Sequence, residues 1–417
     1  MFKKITALLI AVAILFSLIA CTENVPSTDL ESSDSESSST TVESTTESDT
    51  NETESESETE LGSDETSGEQ SDRTPIKNLI LIIGDGMGPE HIAAGQLGSG
   101  TTYDFTKWQN ANVNTDSVSK SGFAGVLTDS AAGATALATG TLTYNGYLGM
   151  DHKQRSLETI LDFAKANGKA TGVITTDYLY GATPAGFSAH ANSRSNYALI
   201  TQTQANSGVD FLCGQRNDDH YLPYQSLLTA SGYYFSNTIS DLQKMPSGLD
   251  KLYLTLNVEN SAKDSLPLAV VASMAISFLE DDEDGFVLII EQAHIDKNAH
   301  NNNIDGVVSS VNSLAATVDL VMEWVGDRKD TAVLITADHE TGGLTVSSEA
   351  VFADQYTSSG SFFYAFSSTE HTDQQVKLFV YGITPVFSNY TYYGSDYLIK
   401  NTDVLRIMKH LLDSEKQ

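Results

Sequence analysis

The sequence predicts an α/β fold: a three-layer sandwich whose central, mainly parallel sheet is covered by helices on both faces, with a small insertion or cap. Two observations carry this. Continuous apolar runs of about six residues recur along the chain, as strands buried on both faces require. Between them lie stretches with apolar residues at helical spacing.

The N-terminus stands outside that alternation. Lys3 and Lys4 precede the uncharged run Ile5–Ala20, which ends Leu18-Ile19-Ala20-Cys21. A basic start, an apolar stretch and a small-residue break read as a secretory signal, too short for the roughly 20 residues of a comfortable membrane span. Its ending resembles the lipobox of bacterial lipoproteins. That resemblance implies cleavage before Cys21 and lipid on its thiol and new amino end, an anchor that needs no spanning helix. Residues 22–74 carry 17 carboxylates against the single cation Arg73, and most of the rest are Ser and Thr. Such a segment cannot bury enough surface to offset its ordering entropy, and reads as a disordered, self-repelling tether. The expected division is signal and anchor over 1–21, tether over 22–74, and a folded catalytic domain over 75–417.

Within that domain the first strand is Asn78–Ile83, ending at Gly84; further strands are Ala170–Thr175, Phe286–Ile290, Thr331–Thr336 and Val376–Tyr381. One helix takes Ser156 as its N-cap, carries Leu157, Ile160, Leu161 and Ala164 on one side, and stops at Gly168. Another runs from about Val307 to Val325, and a third places Val404, Leu405, Met408, Leu411 and Leu412 on one face. Residues from about 196 to 265 show weak periodicity and many Tyr, Asn and Ser, the expected insertion or cap.

With 55 acidic against 23 basic residues and a net charge of −32, the chain is no general nucleic-acid binder. Two cysteines exclude a disulfide framework and a Cys-built zinc site, and Cys213 reads as a buried small hydrophobe. The chemistry gathers at strand ends, where sheets of this kind bind ligands. The first strand runs into Asp85 between glycines. The third ends at Glu291, ahead of His294, Asp296, Lys297 and His300; the fourth runs into Asp338-His339-Glu340; Glu370-His371-Thr372 precedes the fifth. Singly, Asp85 is equally a turn residue and Asp296 with His300 equally a helical i,i+4 pair. Four strand ends with the same chemistry point instead to metal: His with carboxylate for Zn²⁺, carboxylate with hydroxyl for Mg²⁺. Ser130 opens a run of small, helix-compatible residues to Gly140. It is equally an N-cap and a hydroxyl placed where a helix N-terminus stabilises negative charge.

In order, Gly84-Asp-Gly-Met-Gly88, Thr128-Asp-Ser-Ala-Ala-Gly-Ala-Thr-Ala136, Thr143-Tyr-Asn-Gly146, Ala182-Thr-Pro-Ala185, Glu291–His300, Thr336–Glu340 and Glu370-His-Thr372 resemble alkaline phosphatases. The resemblance implies that Ser130 is the nucleophile, transiently phosphorylated. Asp296, His300 and His371 would hold one Zn²⁺, and Asp85, Asp338 and His339 the second. Asp85, Thr183 and Glu291 would hold Mg²⁺. Arg194 would clamp two phosphate oxygens, and Lys297 would reach the phosphate through water. Gly181 stands where relatives often carry Asp or His near the Mg²⁺, which weakens the expected Mg²⁺ site. Small phosphomonoesters are then the substrates, nucleic acid is not a regulatory partner, relatives imply a homodimer, and Cys21 holds the enzyme to a membrane outside the cytoplasm. The nearest alternative is a phosphodiesterase on the same scaffold. A surface lipoprotein without catalysis is the other; no sulfatase-type Cys/Ser-x-Pro-x-Arg motif occurs.

Overall fold

The computed structural model describes residues 75–412 except 243, 350–355, 383–385, 388–391, 394 and 395. The signal, Cys21 and the acidic tether lie outside the described residues.

The five expected strands all form, and each is a member of one eleven-stranded sheet. Its strands are β1 (Asn78–Gly84), β2 (Gln109–Asn114), β3 (Ala170–Thr175), β4 (Phe211–Gln215), β5 (Tyr234–Ser236), β6 (Leu252–Leu256), β7 (Phe286–Gln292), β8 (Thr331–Thr336), β9 (Val376–Tyr381), β10 (Tyr392–Tyr393) and β11 (Asp396–Lys400). They lie in the order β10-β11-β2-β9-β8-β1-β7-β3-β4-β6-β5. From β8 to β5 every pairing is parallel, while β9 runs antiparallel to both β8 and β2. Every residue of β1, β7 and β8 is buried. That explains their unbroken Ile, Leu and Val content, because neither face of a covered parallel sheet meets water.

The helices that position the site are α1 (Pro89–Ser99), α2 (Ser130–Thr139), α3 (Ile160–Ala166), α4 (Ala182–Ser188), α5 (Leu268–Leu279), α6 (His294–Ala299), α7 (Ile304–Val325) and α8 (Asp403–Leu412). α1, α5 and α6 gather around α7 in one layer; α2, α3, α4 and α8 pack together in the other. α7 seats Val307, Val311, Leu314, Val318 and Val321 in the core, at the helical spacing the sequence shows.

Two expectations are corrected. The helix expected after Ser156 begins at Ile160. Thr159 accepts from the Asp162 N–H while the Asp162 carboxylate accepts from the Thr159 N–H, a capping box that outcompetes the lone serine. Ser156 itself bridges to Met150 as extended chain. Residues 196–265 do not stand off as a cap: they supply β4, β5 and β6, which extend the central sheet at one edge. Strands of three to five residues separated by short helices leave little periodicity to read.

Candidate active site

Parallel order brings distant carboxylates to one edge. β8, β1, β7 and β3 are neighbours, with Ile83 opposite both Thr336 and Glu291, and Thr175 opposite Glu291. The residues just beyond these registers are Asp338, Asp85 and Asp177, beside Glu291 at the end of β7. Backbone geometry sharpens the convergence at Gly86. Its φ of +72° disfavours any side chain, and an added Cβ would lie 2.9 Å from the Asp296 Cα. Its N–H donates to Asp338 Oδ1 at 3.2 Å. His371 arrives by a separate route, a short antiparallel pairing of Glu340–Thr341 with His371–Thr372.

The three histidines share one orientation. His371 Nδ1 lies 2.8 Å from the Thr128 carbonyl, His300 Nδ1 meets the Thr369 carbonyl, and His339 Nδ1 sits 3.2 Å from Thr341 Oγ1. Carbonyl oxygens accept only, so His371 and His300 each carry a proton on Nδ1 and turn Nε2 towards Asp296. His300 Nε2 is 3.3 Å and His371 Nε2 3.6 Å from Asp296 Oδ1. His339 Nε2 is 3.5 Å from Asp85 Oδ1 and 3.3 Å from Asp338 Oδ2. The donor atoms of Asp296, His300 and His371 lie within 4.8 Å of one another, as do those of Asp85, Asp296 and His339. Thr341, which the sequence did not single out, links the groups by donating to Asp296 Oδ1 at 2.6 Å beside His339.

Ser130 opens α2, and its Oγ lies 3.2 Å from His339 Nε2. The N-cap is Asp129, whose Oδ1 accepts from the Ala132 N–H at 2.9 Å. That frees the serine hydroxyl from capping. Asp129 Oδ2 also takes Arg194 Nη1 at 3.1 Å, so the guanidinium is tied to the residue that precedes Ser130. The Thr143–Gly146 turn holds this pair: the Gly146 N–H donates to Asp129 and its carbonyl accepts from the Arg194 N–H. Lys297 instead pairs with Asp177 at 2.7 Å.

Electrostatics mark the cluster as built for cations. Burial raises the Asp85 pKa well above its ordinary value, and the charges of Asp338, Asp296 and Glu291 add to the rise. Burial, then the Asp177 charge, push Glu291 up to about 7. Burial also opposes ionisation of Asp296, but the hydrogen bond from His300 and the His339 and Thr341 contacts outweigh it and hold Asp296 below the usual carboxylate range. Burial lowers His339, keeping the imidazole neutral as a ligand must be. Asp85 Oδ1, Asp338 Oδ2 and Thr183 Oγ1 are buried with no hydrogen-bond partner, although Thr183 faces the Glu291 carboxylate. Unpartnered buried oxygens each cost about 1–3 kcal/mol, a cost that a cation at these oxygens removes. Imidazole Nε2 atoms, carboxylates and a hydroxyl gathered at one sheet edge fit divalent metal ions.

Comparison with known proteins places these features in a family. The profile of the family described as alkaline phosphatase matches residues 76–216 and 250–389. The chain is 28% identical over 320 residues to alkaline phosphatase 3 of Bacillus subtilis, a match covering 68% of the chain and 65% of that protein. It is 30% identical over 305 residues to alkaline phosphatase 4 of the same organism, covering 68% and 66%. It thus spans just under two thirds of these two relatives. With the alkaline phosphatase of Escherichia coli it shares 30% identity over 389 residues, covering 74% of the chain and 81% of that protein. Among solved structures, a mutant of the TAB5 alkaline phosphatase with Mg bound in its M3 site superposes with a TM-score of 0.68 at 26% identity, covering 82% of the chain and 99% of that one.

Proposed function

Because the chain belongs to the alkaline phosphatase family, we propose that it hydrolyses phosphate monoesters through a phosphorylated Ser130. The observation that supports this best is the Ser130 hydroxyl 3.2 Å from His339 Nε2, at a helix N-terminus and beside Arg194. In this reading Asp296, His300 and His371 would hold one Zn²⁺, Asp85, Asp338 and His339 the second, and Asp85, Thr183 and Glu291 would hold Mg²⁺. When bound, these cations offset the charge of a phosphate dianion and ease deprotonation of a nearby hydroxyl or water.

The chain's own residues do the rest. Arg194, held by Asp129, offers a planar fork to two phosphate oxygens. The first-turn N–H groups of α2 favour negative charge at Ser130 Oγ. Attack forms the bond from Ser130 Oγ to phosphorus and breaks the ester bond, and the serine proton ends on the departing alcohol. Water then cleaves the phosphoserine, returning Ser130 and releasing inorganic phosphate; inversion at each step leaves net retention at phosphorus.

Zinc- and magnesium-loaded wild type is expected to hydrolyse p-nitrophenyl phosphate at alkaline pH and to lose this with EDTA. Ser130→Ala is expected to lose both turnover and the acid-stable phosphate label. A folded, zinc-loaded wild type that spares the monoester but cleaves bis(p-nitrophenyl) phosphate would move the assignment to diesters. The N-terminal sequence supports residues 1–21 as an export signal ending in a lipid anchor, 22–74 as tether and 75–417 as the catalytic domain outside the cytoplasm. Palmitate labelling that survives Cys21→Ala would remove the anchor, and light scattering tests the homodimer.

A further inference from the structure

Asp177 is neither a metal ligand nor a reacting group in the reading above, yet three observations converge on it. Its carboxylate binds Lys297 at 2.7 Å, and Lys297 is the neighbour of Asp296 on α6. It fills the room beside Gly181: a Cβ built there would lie 3.0 Å from Asp177 Oδ2 and 2.8 Å from the Tyr178 carbonyl. Gly181 has an ordinary φ of −58°, so the glycine answers this crowding and not a backbone need. Finally, Asp177 is the strongest charge acting on Glu291. The backbone fixes its place: its N–H donates to Thr175 Oγ1 at 2.8 Å, that hydroxyl donates to Glu291, and its carbonyl accepts from the Gln215 N–H at 2.6 Å.

We propose that Asp177 is a positioning residue of the Thr183–Glu291 cation site, supplying from four residues upstream the carboxylate that Gly181 lacks. It adds negative charge beside Glu291, favouring Mg²⁺ there, and holds Lys297 in place. The second effect opposes the first, because the Lys297 ammonium neutralises part of the charge that the cation feels. Removing each partner therefore moves Mg²⁺ affinity differently, which a merely structural ion pair would not do. This rests on the reading of Thr183 and Glu291 as cation ligands.

The test is Mg²⁺ titration calorimetry on zinc-loaded full-length protein, wild type against Asp177→Asn and Lys297→Ala, with inorganic phosphate binding measured alongside. The Asp177 backbone bonds do not involve its side chain, so Asp177→Asn is expected to fold and to retain its zinc, checked by metal content. It is expected to bind Mg²⁺ about 10- to 100-fold more weakly, the usual effect of losing an outer partner of a metal site. Lys297→Ala is expected to bind Mg²⁺ at least as tightly as wild type while binding phosphate more weakly. Unchanged Mg²⁺ affinity in Asp177→Asn, or an equal loss in both variants, overturns the role of Asp177 alone. A zinc-loaded wild type that takes up no Mg²⁺ overturns the Thr183–Glu291 site and this proposal with it.

Discussion

Thr341 shows how much one hydroxyl can carry. It donates to Asp296 across 45 residues of sequence and meets the imidazole of His339 two residues away, so it touches both histidine–carboxylate groups. Thr341→Val keeps the shape and removes both bonds. Zinc affinity is expected to fall about 10- to 100-fold, read by competition with a chelator. Asp129→Ala is expected to free Arg194 and weaken phosphate binding, raising KM more than it lowers kcat, and to cost about 1 kcal/mol of stability as a lost N-cap. Equal effects on KM and kcat would argue against a positioning role. The histidines, acidic strand ends and Ser130 were legible in the sequence because their chemistry is rare and their spacing regular. Thr341, Asp129 and Asp177 were not, because a common hydroxyl or carboxylate takes its role from what packs opposite it.

At the scale of elements, α2 reaches the site only because it carries glycine where it faces β8's end. A Cβ at Gly133 would stand 2.9 Å from the Asp338 carbonyl oxygen and 3.0 Å from the Asp338 Cβ. Gly133→Ala should gain about 0.5–1 kcal/mol of helix propensity. Overpacking costs about 1–3 kcal/mol, and a backbone carbonyl cannot swing aside, so the clash prevails. The expected result is a lower Tm with weaker zinc retention; a raised Tm would show that the helices slide. Strands buried on both faces announced themselves by unbroken apolar runs, and α7 by its long stripe. The strands β4 to β6 did not, since they are only three to five residues long, and a strand as short as β5 gives period-two alternation little length to show.

For the molecule as a whole, the cations and the fold are linked. Without them Asp85 and Glu291 hold protons more tightly than in the unfolded chain, Glu291 up to about 7. For these two carboxylates the folded state binds more protons than the unfolded state between the ordinary carboxylate range and about pH 7. The stability they contribute is therefore lost as pH rises through that window. The histidines that burial lowers, His91 and His339 among them, act in the opposite sense. In metal-stripped protein, Glu291→Gln is therefore expected to make Tm rise more, or fall less, from pH 5 to pH 7 than in wild type; an unchanged slope would contradict this. Metal uptake should release protons measurable in buffers of different ionisation enthalpy. The parallel order β8-β1-β7-β3 carries one more consequence, in time. A chain emerging from its N-terminus displays Asp85 and Ser130 long before Asp338, His339 and His371 exist to complete them. Pairings between segments this far apart in sequence form slowly. Metal capture is thus expected to be a late event in folding, lagging behind secondary structure in a refolding experiment, and a captured ion would certify that the segments carrying Asp338, His339 and His371 have docked.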